Sequence, residues 1–148
     1  MELNWNTYQA HANSELELAE GFVSDIKAQF DLNFHANKSA VYLMSSNAGS
    51  FSSIAFWKNA LEHSPRFANP GIFPWTLANA TAGCIARAFS INGPNYTIIE
   101  NELDANELIS LYQNDQQKYN LMNAFLITWE LKTNGNQIAV RANWTIIE

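Results

Sequence analysis

Three acidic side chains, Glu100, Glu102 and Asp104, stand at alternate positions just ahead of a helix-compatible run. A carboxylate there could serve as general acid or base if an apolar cleft raised its pKa. The same placement is favoured without any chemistry, because the free N–H groups and dipole of a helix's first turn attract anions. No nucleophile or orienting histidine lies beside them in the sequence. The one thiol, Cys84, sits among small residues and reads as a buried apolar side chain. His11, His35 and His63 have no partner at ligand spacing, so neither a metal nor a cofactor is expected. His63, just before Ser64 and Pro65, suits a helix C-terminus, where a cation is favourable. The aromatics Trp5, Trp57, Trp75, Tyr96, Trp129 and Trp144 could line an apolar pocket, although aromatic side chains in an α/β core mostly fill volume.

These residues must be positioned by alternating helices and strands. Ser14 and Glu17 form a capping box, and Leu18, Phe22, Ile26 and Phe30 recur every four residues, predicting a helix over 15–30. The apolar run 40–44 ends in SSNAGS, as a buried strand leading into a small-residue loop would. A second helix is expected over 51–62, with Phe51, Ile54, Ala55, Trp57 and Leu61 facing the core and Pro65 setting its end. After an irregular connection over 66–75 comes a helix over 76–90. Its small residues (Ala78, Ala80, Ala82, Gly83, Ala86 and Ala88) predict close packing in a buried central position. Residues 96–99 read as a core strand, and Asp104 with Glu107 caps a helix over 103–117. The pair Asn134-Gly135 then marks a hairpin between 123–131 and 137–147. The expected order is α, β, α, α, β, α, β, β. It describes one α/β domain over 1–148, with a mixed, mainly parallel sheet packed by helices and an antiparallel C-terminal hairpin.

Composition narrows the function. At 148 residues with 47% hydrophobic content, the chain can bury one core and is too short for two. Its net charge of −6, from 14 acids against 8 bases, disfavours nucleic acid and anionic membrane surfaces as partners. The longest apolar stretches, 85–91 and 124–129, fall far below the roughly 20 residues of a membrane span. A lone cysteine forms no internal disulfide, and the opening MELNWNTYQA has no signal-peptide pattern, so a cytoplasmic location is expected.

The segment NPGIFPWTLANATAGCIARAFSINGPNYTI, residues 69–98, resembles the β-ketoacyl synthase family. There an Asn-Pro-x-x-Phe-Pro connection precedes a small-residue helix and a Gly-Pro before the nucleophile strand. The matching structural positions are Asn69, Pro70, Gly83, Gly93 and Pro94. YLMSSNAGS and the helix leading to SPRFANP extend the likeness over most of 39–131. The resemblance implies a thiolase-like half-fold. It also implies that the strand after Gly93-Pro94 leads to the family's nucleophilic cysteine, whose thiolate attacks an acyl thioester. Counting from Gly-Pro places Glu102 on that position. A carboxylate cannot form the acyl thioester, so covalent condensation is not expected. The histidines that activate malonyl decarboxylation in the family belong to a second half with no counterpart in these residues.

The resemblance is to short N-terminal ketosynthase-like proteins and to chain-length-factor subunits, although the latter usually carry Gln where this chain has Glu102. It implies that the connection Ile72, Phe73, Pro74, Trp75, Thr76, Leu77 lies at a dimer contact near an acyl channel. Tyr96 on the following strand is a further interface or acyl-pocket candidate. The expected role is that of a non-catalytic subunit or scaffold in fatty acid, polyketide or polyene-type biosynthesis, as a homodimer or as a heterodimer with a ketosynthase. One alternative is a small acyl-thioester decarboxylase or hydrolase using Glu102. The other is a module binding an acyl chain or an acyl carrier protein, whose own acidity meets few basic residues here.

Overall fold

The computed structural model describes residues 2–148. Five strands form one mixed sheet in the order β1-β5-β4-β2-β3: β1 (Asn6–Ala12), β2 (Ser39–Ser45), β3 (Asn95–Ile99), β4 (Asn123–Asn134) and β5 (Gln137–Ile147). β2 pairs in parallel with both β3 and β4, whereas β5 pairs antiparallel with both β4 and β1. Helices α1 (Glu15–Gln29) and α3 (Ala80–Ala88) pack on one face, and α4 (Ala105–Tyr119) packs on the other. Helix α2 (Ser50–His63) follows β2 and lies against the connection that leads to α3. This is the expected α/β arrangement with its C-terminal hairpin. The antiparallel share grows through β1, which the sequence reading did not include. Its segment NTYQAHA supplies only Tyr8, Ala10 and Ala12 to the inward side, too weak an alternation to announce a strand without β5 beside it.

β2 is buried along all seven residues, as a central parallel strand should be. Val41 and Leu43 face the larger cluster with Phe22, Ile85, Phe125 and Trp129, while Ala40, Tyr42 and Met44 face Leu108 and Tyr112 of α4. The capping box at Ser14 forms: the Glu17 N–H donates to Ser14 Oγ at 3.2 Å, and the returning carboxylate accepts from Asn13 N at 3.0 Å. The hairpin turn is Gly135-Asn136, one residue beyond the expected pair, because Asn134 still pairs with Gln137 and only Gly135 has a positive φ.

Two expectations are corrected. Ile54, Trp57 and Leu61 were assigned to the core, yet they are 54, 65 and 78% exposed, and α2 instead buries Ser52 and Ala60 on its opposite side. The helix is turned by its anchor. Glu15 of α1, only 1% exposed, accepts from Gly49 N at 2.7 Å through Oε1 and from Ser52 N at 2.7 Å through Oε2. The Ser52 hydroxyl donates to Oε2 as well. A buried carboxylate at the first turn of α2 satisfies orphan N–H groups there and fixes the Ser52 side inward. The second correction concerns α3, which spans nine residues instead of fifteen and buries Thr81, Ala82, Ile85 and Ala86 while exposing Gly83. A Cβ at Gly83 would meet nothing within 4 Å, so no backbone approaches it. The close approach falls at Gly93, where a Cβ would lie 2.2 Å from Ser39 O.

Glu15→Gln leaves one acceptor oxygen for donors that now use two. We expect a loss of about 2–3 kcal/mol, read as a lower urea midpoint at unchanged slope; an unchanged midpoint would show that the carboxylate does not anchor α2.

Candidate functional site

The sheet ends at β3, so residues 96–99, expected as a core strand, are an edge strand instead. The reason is that this strand pairs only with β2, and its outer edge meets no other strand among the described residues. The edge displays Tyr96, 43% exposed, and Ile99, 51% exposed. Tyr96 stacks on the fully buried Tyr42, with ring centroids 5.7 Å apart and planes at 16°. The Tyr42 hydroxyl donates to Asp115 Oδ2 at 2.8 Å, and burial followed by that carboxylate pushes its pKa above the ordinary tyrosine value. The neighbouring Tyr119 hydroxyl pushes the pKa of Tyr96 up as well. The strand's position is set by Gly93 against Ser39 and by Val41 N donating to Pro94 O at 2.9 Å.

The 72–77 connection is built as a 3-10 turn over Phe73–Thr76, closed by Thr76 Oγ1 donating to Phe73 O at 2.7 Å. Asn69 pins its start, with its N–H donating to Asn59 Oδ1 at 2.6 Å and its own Oδ1 accepting from Gly71 N at 2.9 Å. The exposed Pro70 lies between them. Gly49, at φ 88°, lets the α2 start approach the far end, since a Cβ there would stand 2.8 Å from Thr76 O. The turn sorts its side chains. Phe73 and Leu77 point outward at 54 and 55% exposure, and Pro74 is exposed beside them. Ile72 and Trp75 are half-buried and line an inner groove of about 400 Å³ with Leu16, Phe51, Ile138 and Glu15. Thr76 is half-buried.

Glu102 is exposed in the loop between β3 and α4. It borders an open cleft of about 670 Å³ with Trp5, Thr128, Glu130, Arg141 and Asn143. The cap of α4 is Asp104, whose carboxylate accepts from Asn106 N at 2.9 Å, so the helix begins at 105 and Glu102 stands clear of its N-terminus. Among the described residues no histidine lines that cleft to orient or share a proton with it. Cys84 is half-buried, and burial pushes its thiol pKa up, which disfavours the thiolate. Among the described residues there is no group of three or more His, Cys, Asp or Glu side chains placed to hold a metal. Trp129 and Trp144 are core residues, and among the described residues no helix is long and apolar enough to cross a membrane.

No family model matches the sequence, and no curated protein matches it. Solved structures do. The ishigamide ketosynthase/chain length factor superposes with a TM-score of 0.66 at 12% identity, over 84% of this chain and 39% of that one. The fold is the thiolase-like half-fold of ketosynthases and chain length factors. A ketosynthase (ApeO) in complex with its chain length factor (ApeC), from Xenorhabdus doucetiae, matches with a TM-score of 0.52 at 10% identity, over 96% of this chain and 76% of that one. The chain thus spans about two fifths of the length of the first of these ketosynthase-type structures.

Sequence reasoning missed the exposed apolar side of α2, because periodicity marks a face without saying whether the fold covers it. Phe67, at 70% exposure, and Phe73 adjoin that side, with Phe73 packed edge-on against Phe56 at 5.6 Å.

Two outcomes follow. Glu102→Ala should shift stability by no more than about 0.5 kcal/mol and leave association and any acyl-thioester turnover unchanged; loss of turnover would make Glu102 catalytic. Tyr42 must stay protonated to donate to Asp115, so its contribution is complete below the ordinary tyrosine value of 10.0 and fades as pH rises beyond it. Tyr42→Phe should therefore flatten the alkaline limb of a stability-versus-pH curve, and an unaltered limb would refute the assignment.

Proposed function

We propose that this chain is a non-catalytic ketosynthase-like subunit of a cytoplasmic fatty acid, polyketide or polyene-type pathway, acting as a heterodimer with an active ketosynthase. The observation that carries the reading is the free β3 edge with exposed Tyr96 and Ile99. An unprotected strand edge bearing large apolar residues is a template for another chain, and soluble proteins cover such edges. The likeness to a ketosynthase in complex with its chain length factor supports a paired subunit as the occupant. Glu102 at the nucleophile-equivalent position supports the non-catalytic part, since a solvated carboxylate carries no acyl group. Phe73, Pro74 and Leu77, exposed on the 72–77 turn, are further contact candidates, whereas Ile72 and Trp75 line the inner groove.

Size-exclusion chromatography with light scattering, on the chain alone and mixed with a ketosynthase from the same source, tests this. A mixed complex that Ile99→Lys abolishes is expected, because a charge on the edge blocks strand pairing. A monomer that ignores the ketosynthase would refute the pairing.

A further inference from the structure

The net charge of −6 hides a segregation. Residues 32–99 contain one acid, Glu62, against Lys38, Lys58, Arg66 and Arg87, whereas the other 80 residues contain thirteen acids and four bases. Lys58 and Arg66, both exposed, stand among the outward apolar side chains of α2 and the turn that follows it, with the exposed Glu62 four residues from each, so the rim carries a net single positive charge. Ile54, Trp57 and Leu61 recur at three and four residues, the spacing of one helix face, and that face lies opposite the buried Ser52 and Ala60. Phe67 continues the patch past the helix end with the Arg66 guanidinium 5.8 Å from its ring centroid, and Phe73 joins it to the 72–77 connection through Phe56.

We infer that α2 and its following turn form a second part of the partner contact, taking a surface of the paired subunit that is apolar at its centre and acidic at its rim. The inference rests on the pairing reading above and adds the partner's chemistry. Continuity with the 72–77 connection favours the paired subunit over a transient visitor, and so does the apolar content. Long-lived subunit interfaces are apolar at their core, whereas transient encounters are smaller and more polar. Lys58 and Arg66 on the rim steer an acidic partner and set its register.

The test uses the full chain and the ketosynthase from the same source, with dissociation constants from titration calorimetry at low and high salt. Trp57→Ser with Leu61→Ser removes two side chains that are 65 and 78% exposed, so the core is untouched. Each truncation at an interface centre costs about tenfold or more in affinity, so that variant should bind at least about tenfold more weakly with unchanged thermal stability. Lys58→Glu with Arg66→Glu should weaken binding chiefly at low salt. If the unmodified chain pairs while both double variants bind as it does, the α2 contact is wrong and the β3 pairing stands. If the unmodified chain does not pair at all, both fall. If it binds an acyl carrier protein through these residues and the ketosynthase without them, the surface belongs to the carrier and the inference is overturned.

Discussion

The buried carboxylate of Glu15 is the constraint on which the arrangement of the outer surface depends. A charge removed from water must be matched by donors, and here the donors are Gly49 N–H and the N–H and hydroxyl of Ser52. That requirement ties the start of α1 to the start of α2 and fixes the rotation of α2 about its axis. Asn47 secures the same loop from the other side, exchanging hydrogen bonds with the backbone of Leu131 at the end of the central pairing. With both attachments made, Gly49 rests on Thr76, and the 72–77 turn has a defined place.

The consequence is a molecule with unlike free surfaces. On the far side of the sheet, beyond the reach of α4, strands β1, β5 and β4 carry Thr7, Gln9, His11, Arg141, Asn143, Glu130 and Lys132, a polar face that water covers at little cost. Thr7 and Asn143 hydrogen-bond across it at 2.9 Å. The β3 edge and the outer side of α2 are different: they expose large apolar side chains. The exposed apolar surface thus lies on a helix and a strand edge, while the sheet face itself is hydrophilic. Polar surface of the first kind is covered by solvent at little cost, whereas large exposed apolar surface of the second kind is uncommon on soluble monomers.

Much of the fold was legible locally. The Ser14 cap, the fourfold spacing of Leu18, Phe22 and Ile26, the apolar run of β2 and the turn-forming Gly135 are short-range signals whose physics acts within a few residues. Strand β1 was not legible, since a polar seven-residue segment becomes a strand only when β5 supplies its hydrogen bonds. The candidate interface was legible in part: the Asn69–Leu77 segment stood out by its prolines and aromatics, but which side chains turn inward was not. Trp75 went to the groove and Phe73 to the surface because of a single 3-10 turn.

By itself the sequence determined the alternation of helices and strands from α1 onward and the charge imbalance between its middle and its ends. Each of these is a property of neighbours along the chain. Tertiary structure alone decided that α2 presents Ile54, Trp57 and Leu61 to solvent and that Glu102 stands in an open cleft instead of at a helix N-terminus. The reason is that an amphipathic pattern specifies a face but not a direction, and direction is chosen by whichever long-range contact is costliest to leave unmade. Here that contact joins Glu15 to residues 34 and 37 positions away.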